Sequence, residues 1–532
     1  METKSPENPA QDCAEHIELS GHATQHEDHQ QTKWQAIKAN PRNIFWCLYG
    51  AWALICIGFD YDAGTIVLGI TQFRKDFGVL QPDGGYVIDA GWQSAFSGGA
   101  NASACIAGLA AGFISDRFGR KRTIMGGLAT TFVGASLQLA STNVQVFFAG
   151  KVINGVALGF LLTTVLTWLS EVSPLALRGV MTGICNLSFC LGPFTCTCIE
   201  NALASRTDRW AYRGIFLAQL GFGFTAFIIV PFIPESPWWL AQHGKDDAAK
   251  RALQRLGHGE ISAEKHLADI RCTQEAAKQE TEGTSYSECF KGTNLRRTII
   301  AMMPLSIQSL SGVPWIASYS TYYFELAGLS SQRAWDISVG AQVLSIAGNI
   351  AAFVLVDRIG RRKLLLWGFG FLAALLMLTG GLGTMTHNHG AVLGTIGLMS
   401  MYNFIFNSAI GPVAYIVAAE TPTGRLRIKT ISLGYIATNA ISTMWLFVLP
   451  YIVNPNQGNL GAKTGFIFGA TSVLCWIYLF FCQTETAGRN FEEIDELFHK
   501  KVPARQFRKF KTDTERKGEE AVVGGKLTVA AE

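Results

Sequence analysis

Apolar stretches of membrane-crossing length recur along the middle of this chain, separated by short polar connections. They are centred near Ile57, Ala104, Phe132, Gly155, Leu191 and Phe224 in the first half and near Gly312, Ala347, Leu375, Phe404, Ile441 and Val473 in the second. A helix of about twenty mostly apolar residues is the shortest continuous element that crosses a hydrocarbon layer with every backbone amide satisfied internally. The pattern therefore predicts an all-α membrane protein with twelve transmembrane helices. Between the two sets lies a charged stretch in which AKRALQRL places apolar residues three and four apart, the period of an amphipathic helix. The predicted organisation is a disordered cytosolic tail over 1–43, a six-helix bundle over 44–233, a cytosolic helical linker over 234–297, a second six-helix bundle over 298–482 and a cytosolic tail over 483–532.

Composition agrees with a lipid-embedded body, since only 16% of the residues are charged and 49% are hydrophobic. The net charge of +4 is small for 532 residues, and the basic residues sit in short loops and the C-terminal tail, so nucleic acid is not an expected partner. Cys56, Cys105, Cys185, Cys190, Cys196, Cys198, Cys475 and Cys482 fall inside apolar runs without metal-ligand spacing and read as small hydrophobic residues. No Walker loop, GxSxG elbow or HExxH helix is present, which argues against an enzyme, a metal site, a bound cofactor or a pump driven directly by ATP.

The two halves repeat one another. DRFGRKR at Asp116 returns as DRIGRRK at Asp357, Glu171 and Arg178 return with the same spacing as Glu420 and Arg427, and PESPWWL at Pro234 is echoed by TETAGR at Thr484. Motifs that recur in order at a nearly constant offset indicate a duplicated body. The basic loops around Arg117 to Arg122, Arg358 to Lys363 and Arg425 to Lys429 alternate with basic-poor loops, which puts both termini and the linker in the cytosol. Arg206, Arg209 and Arg213 run against that rule, because they fall on a loop assigned to the outside.

These motifs resemble those of the sugar porters of the major facilitator superfamily, from about Phe45 to Phe510. Within that family the chain is most similar to fungal α-glucoside (maltose-type) permeases, in SEVSPLALRG, RTDRWAYR, PESPWWL, GPVAY, GRLRIK, NLGAKTGF, ETAGRNFEEIDELF and KKVPAR. The resemblance implies two six-helix halves around a central site that alternates between inward-open and outward-open states. Its expected partners are a small solute, protons and the lipid bilayer of the plasma membrane, with the monomer as the working unit. In both basic motifs an acidic residue heads a Gly-permitted turn followed by cations, which suits charge pairing with helix ends and with Glu171 or Glu420, so Asp116, Arg117, Arg120, Glu171 and Arg178, with Asp357, Arg358, Arg361, Glu420 and Arg427, are expected to act as a conformational latch on the cytoplasmic side.

Asp60 and Asp62 stand inside the first apolar run, where an ionisable group costs about 2.5 to 3.5 kcal/mol unless it faces a cavity or a partner. The resemblance gives Asp62 the place of a proton-binding carboxylate, in a motif that here reads DYD, and gives Lys151 the place of the cation that pairs with it. A carboxylate that gains and loses such a partner would couple a proton gradient to solute movement. The alternative is a permanent structural pair in a facilitator. For solute binding the family pattern points to Asn186, Gln308, Tyr415 and Asn439, with Trp315, Tyr319 and Asn407 nearby; their alternative role is to hydrogen-bond neighbouring helices. Ser309, Pro314, Gly434 and Thr438 depart from the pattern and make the expected site less polar than a typical disaccharide site. The expected activity is proton-coupled sugar symport, and the alternative is carriage of a non-sugar metabolite, such as a secondary metabolite or polyol, on the same scaffold.

Overall fold

The structure, a computed structural model, describes residue 38 and residues 40–512 apart from 81–84, 174–177, 204, 282–284, 327, 386–387, 424–425, 455, 488, 490 and 509. The side chains of 178–186, 272, 276–281, 326, 357, 428, 491 and 492 also lie outside the described residues, as does most of the expected N-terminal tail. The chain divides into two compact units, residues 1–282 with 331–335, and residues 283–330 with 336–532.

The body of the first unit is α1 (Pro41–Ile66), α2 (Ala100–Phe118), α3 (Arg120–Ala140), α4 (Val144–Val172), α5 (Arg178–Leu203) and α6 (Trp210–Ile229), followed by the linker helices α7 (Asp246–Leu256) and α8 (Glu260–Thr281). Pro41 opens α1 at a position where its missing amide hydrogen costs nothing. The Asn143 side chain caps α4 by accepting the Val146 amide at 2.8 Å. AKRALQRL lies in α7, which buries Ala249, Ala252, Leu253 and Leu256. The linker cluster joins Ala249, Ala252 and Leu253 to Trp239, Leu240, Ala263 and Leu267.

The second unit comprises α9 (Gly292–Leu310), α10 (Val313–Leu326), α11 (Ser331–Ile359), α12 (Arg361–Leu382), α13 (His389–Ile405), α14 (Gly411–Glu420), α15 (Arg427–Val453), α16 (Thr464–Cys482) and α17 (Phe491–His499). Its first apolar window is a broken helix. Gly312, at φ +95°, separates α9 from α10. The freed carbonyls find side-chain donors: Thr471 Oγ1 donates to the Leu310 oxygen at 2.7 Å, and Ser311 Oγ to the Gln308 oxygen at 2.7 Å.

Helices approach closely where one contributes a glycine. A Cβ on Gly192 of α5 would stand 2.6 Å from the Ile55 carbonyl oxygen of α1, and one on Gly465 of α16 would stand 2.6 Å from the Leu376 oxygen of α12. Lipid gives no hydrophobic drive for helix association, so such backbone approach supplies the packing contacts that hold the bundle together. Outward faces carry bare apolar side chains, with Phe113 82% and Leu474 66% exposed, which suits a surface solvated by acyl chains.

Among the described residues, eleven helical segments are long and apolar enough to cross a membrane. The remaining expected span coincides with α5, 26 residues long, in which the side chains of 178–186 lie outside the described residues. The arginines that ran against the charge rule have local partners. Arg209 pairs with Asp76 at 3.3 Å, Arg206 with Asp208 at 3.7 Å, and Arg213 Nη2 donates to the Ser141 oxygen at 3.4 Å. They fasten loop ends.

Candidate transport site

The duplicated basic motif builds the same turn twice. Gly119 and Gly360 adopt φ +94° and +93°, a region that residues with a Cβ rarely enter, and each is followed directly by a helix. That helix starts with unsatisfied amides, and a distant carboxylate meets them in both copies. Glu235 Oε1 accepts the Arg120 amide at 2.9 Å, and Glu485 Oε1 accepts the Arg361 amide at 2.9 Å.

The arginine side chains then turn inward. Arg120 forms a fork on Glu171, Nε to Oε2 at 3.1 Å and Nη2 to Oε1 at 2.9 Å, and Nη1 also reaches Asp116 at 3.2 Å. Arg361 reaches Glu420 at 3.2 Å, and Thr486 Oγ1 donates to the other oxygen of Glu420 at 2.6 Å. Trp239 ties the first copy further by donating from Nε1 to the Asp116 carbonyl oxygen at 2.7 Å. Of the remaining expected latch residues, Arg117 and Arg358 are exposed and Arg427 opens α15, while the side chains of Arg178 and Asp357 lie outside the described residues.

A second constellation lies within the first bundle. Asp62 is 7% exposed and Lys151 5% exposed, and Asp62 Oδ2 has no hydrogen-bond partner among the described residues. No direct ion pair joins them among the described contacts, yet each is within electrostatic reach of the other. The Lys151 ammonium occupies the space a Cβ on Gly64 would need, and its Cδ stands 2.6 Å from that position. Asp60 points elsewhere, into a small apolar pocket with Cys56, Ile124, Leu128, Thr131 and Leu161. The two acidic residues of the DYD motif thus occupy different environments, as residues two apart on a helix must.

The polar residues expected to bind solute in the second unit fall into two groups. Gln308 in α9 and Trp315 in α10 flank the helix break, and Gln308 Nε2 and Trp315 Nε1 are buried donors without partners among the described residues. Trp315 stacks on Phe468 with ring centres 6.0 Å apart, and Tyr319 is fully buried. Asn407 and Asn439 each donate to a carbonyl one turn back, at Asn403 and Tyr435, both at 3.0 Å. Asn407 lies in a π turn, Phe406–Ile410, a local widening often found at functional sites. Tyr415 is half exposed and 5.9 Å from the Tyr435 ring. The Asn186 side chain lies outside the described residues. Two departures from the family pattern have packing explanations. Ser309 Oγ is 2.8 Å from Ser442 Oγ, and a Cβ on Gly434 would come within 2.9 Å of Leu305 Cδ1.

Sequence reasoning missed Glu200 of α5, which is 1% exposed with neither carboxylate oxygen hydrogen-bonded among the described residues. Its signal was available as a single acid inside TCTCIENAL. It also read the glutamates of PESP and TETA only as repeat markers, whereas they cap the two basic turns.

Comparison with known proteins bears on these features. The profile of the family described as sugar (and other) transporters matches residues 46–498. The maltose permease MAL31 of Saccharomyces cerevisiae is 31% identical over 493 residues, covering 90% of this chain and 79% of that protein. The general alpha-glucoside permease of the same yeast is 29% identical over 489 residues with the same coverage. The MFS transporter fmqE of Aspergillus fumigatus is 28% identical over 528 residues, covering 94% of this chain and 97% of that protein. Among solved structures, the inward-open xylose transporter XylE from E. coli superposes with a TM-score of 0.69 at 19% identity, covering 86% of this chain and 99% of that one. The fold is therefore that of the major facilitator superfamily, and the chain is a multi-pass membrane transporter rather than an enzyme, a member of the sugar (and other) transporter family.

Proposed function

We propose that this transporter is a proton-coupled symporter of α-glucosides or related hydroxylated solutes, working by alternating access as a monomer in the plasma membrane with both termini in the cytosol. The observation that carries the reading is the buried, incompletely bonded carboxylate of Asp62 beside the buried ammonium of Lys151. Burial disfavours the charged form of both groups, and their mutual attraction favours it. A change of conformation that alters their separation changes which form is stable, so the proton is taken up on one side and released on the other. The similarity to yeast permeases named for maltose and alpha-glucosides supports the cargo class. Gln308 Nε2 and Trp315 Nε1 supply donors for hydroxyl oxygens. The basic turns act as the latch that holds one state closed.

The test is uptake into transport-deficient cells with labelled glucosides, hexoses, polyols and small organic acids, with and without an uncoupler. Uptake confined to sugars and abolished by the uncoupler is the expected result. A second reading keeps the fold and changes the cargo to a non-sugar metabolite. It is favoured by the packing that occupies Ser309 and Gly434, which leaves fewer polar groups for a disaccharide. Organic-acid or other non-sugar uptake in the same panel would select it.

A further inference from the structure

A carboxylic acid that is 1% exposed and has no hydrogen-bond donor on either oxygen is expensive to keep as an anion inside a helix bundle. Glu200 is such a group, and its surroundings supply one buried cation for two buried acids. Lys151 reaches from α4 to the Gly64 backbone of α1 and interacts with both Asp62 and Cys196. Cys196 lies one helical turn before Glu200 on the same face of α5. Asp62 and Glu200 in turn act electrostatically on one another. With Lys151 charged, the group of three is neutral only when one carboxyl holds a proton.

Position gives the pair a direction. Glu200 is three residues from the end of α5 at Leu203, about 4.5 Å along the axis, while Cys196 is a turn deeper. In the orientation proposed above, that end of α5 faces outward. We infer that Glu200 is a second proton-carrying residue, the outer station from which Asp62 is loaded. The transfer is balanced: the Glu200 carboxyl gives up its proton and becomes a carboxylate, the Asp62 carboxylate takes it, and Lys151 stays an ammonium whose field passes from one anion to the other. Glu200 is then recharged from the external medium. The other groups that could contribute are few. Among the described residues, from α1 they are Asp62, the Tyr61 phenol beside it and, facing its own pocket, Asp60; from α4, Lys151; from α5, the Cys196 thiol. From α6 come the uncharged Gln219, with Tyr212 bound to Asp76 and Arg213 turned to the Ser141 carbonyl.

This inference rests on the symport reading, and the test separates the two. Glu200→Gln, Glu200→Asp and Asp62→Asn are compared for uphill accumulation of labelled maltose across external pH, for exchange of preloaded solute, and for amount at the cell surface. Glu200→Gln is expected to retain exchange while its uptake loses the stimulation by external acid. Glu200→Asp is expected to keep that stimulation with a displaced midpoint. A wild-type pH profile in Glu200→Gln, with Asp62→Asn deficient in accumulation, overturns the role of Glu200 and leaves the symport reading standing. Undiminished uphill accumulation in Asp62→Asn overturns the symport reading itself. If Glu200→Gln does not reach the surface, Glu200→Asp decides, because an unchanged midpoint there also overturns the inference.

Discussion

Glu235 accepts the backbone amide of Arg120 at 2.9 Å across 115 positions of sequence, so the glutamate that closes the first bundle caps the helix that follows the first basic turn. Glu485 repeats the relationship with Arg361 in the second bundle. Replacing Glu235 with Ala removes an acceptor that two helix-start amides share, and losses of this kind cost about 1 kcal/mol. Glu235→Ala is therefore expected to lower the melting temperature of the detergent-solubilised protein. Glu235→Gln keeps a neutral acceptor and should lose less. Equal melting temperatures for wild type and Glu235→Ala would show that the cap contributes nothing.

Arg120 is the more deeply held of the two arginines that follow the basic turns, with 8% side-chain exposure against 16% for Arg361, and it grips Glu171 with two nitrogens. A lysine keeps the charge and loses the fork. Arg120→Lys should thus slow transport more than Arg361→Lys, with solute affinity changed little in either. Initial rates at saturating and limiting solute would show this, and identical rates for both variants and wild type would remove the latch role.

Gly64 leaves the room that the Lys151 ammonium fills. Gly64→Ala is expected to push Lys151 away from Asp62 and to abolish uphill accumulation while the protein still reaches the cell surface. Ala at the neighbouring small position, Gly58, comes no nearer than 3.3 Å to the Pro193 ring and 3.4 Å to the Gly192 Cα and should be tolerated better. Comparable accumulation in Gly64→Ala and wild type would show that the position of Lys151 is unimportant.

In the linker, the His258 and His266 rings are 4.3 Å apart, and burial together with the His266 ring pushes His258 down from 6.5 to about 4. The neutral ring is the one that packs. Its contribution is complete above about pH 6.5, the unfolded value, and is lost progressively as pH falls toward 4. Hydrogen exchange in α7 and α8, corrected for intrinsic rates, should show weaker protection at pH 5 than at pH 7, and His258→Gln should remove the difference. Equal protection at both values in the wild type would contradict this.

The spans and the linker helix were readable because each depends on local pattern: hydropathy over a bilayer's width for the windows, and a 3.6-residue period for AKRALQRL. The basic turns were readable as a repeat but not as capped helices, since Glu235 and Glu485 become caps only through contacts made far along the chain. Glu200 was hidden because its burial, at 1% exposure, follows from helix packing, which no sequence window records. Gly434 shows the same limit from the other side. Its missing side chain reads as a trimmed binding site, whereas in the structure it makes room for Leu305.

On the symport reading, a proton on Asp62 moves with the solute. External pH recorded in a lightly buffered suspension of cells expressing the protein, at the moment an α-glucoside is added, tests it most directly. Transient alkalinisation is expected with the wild type and none with Asp62→Asn, although Asp62→Asn still exchanges preloaded solute. Solute entry at wild-type rate without any change in external pH would contradict it.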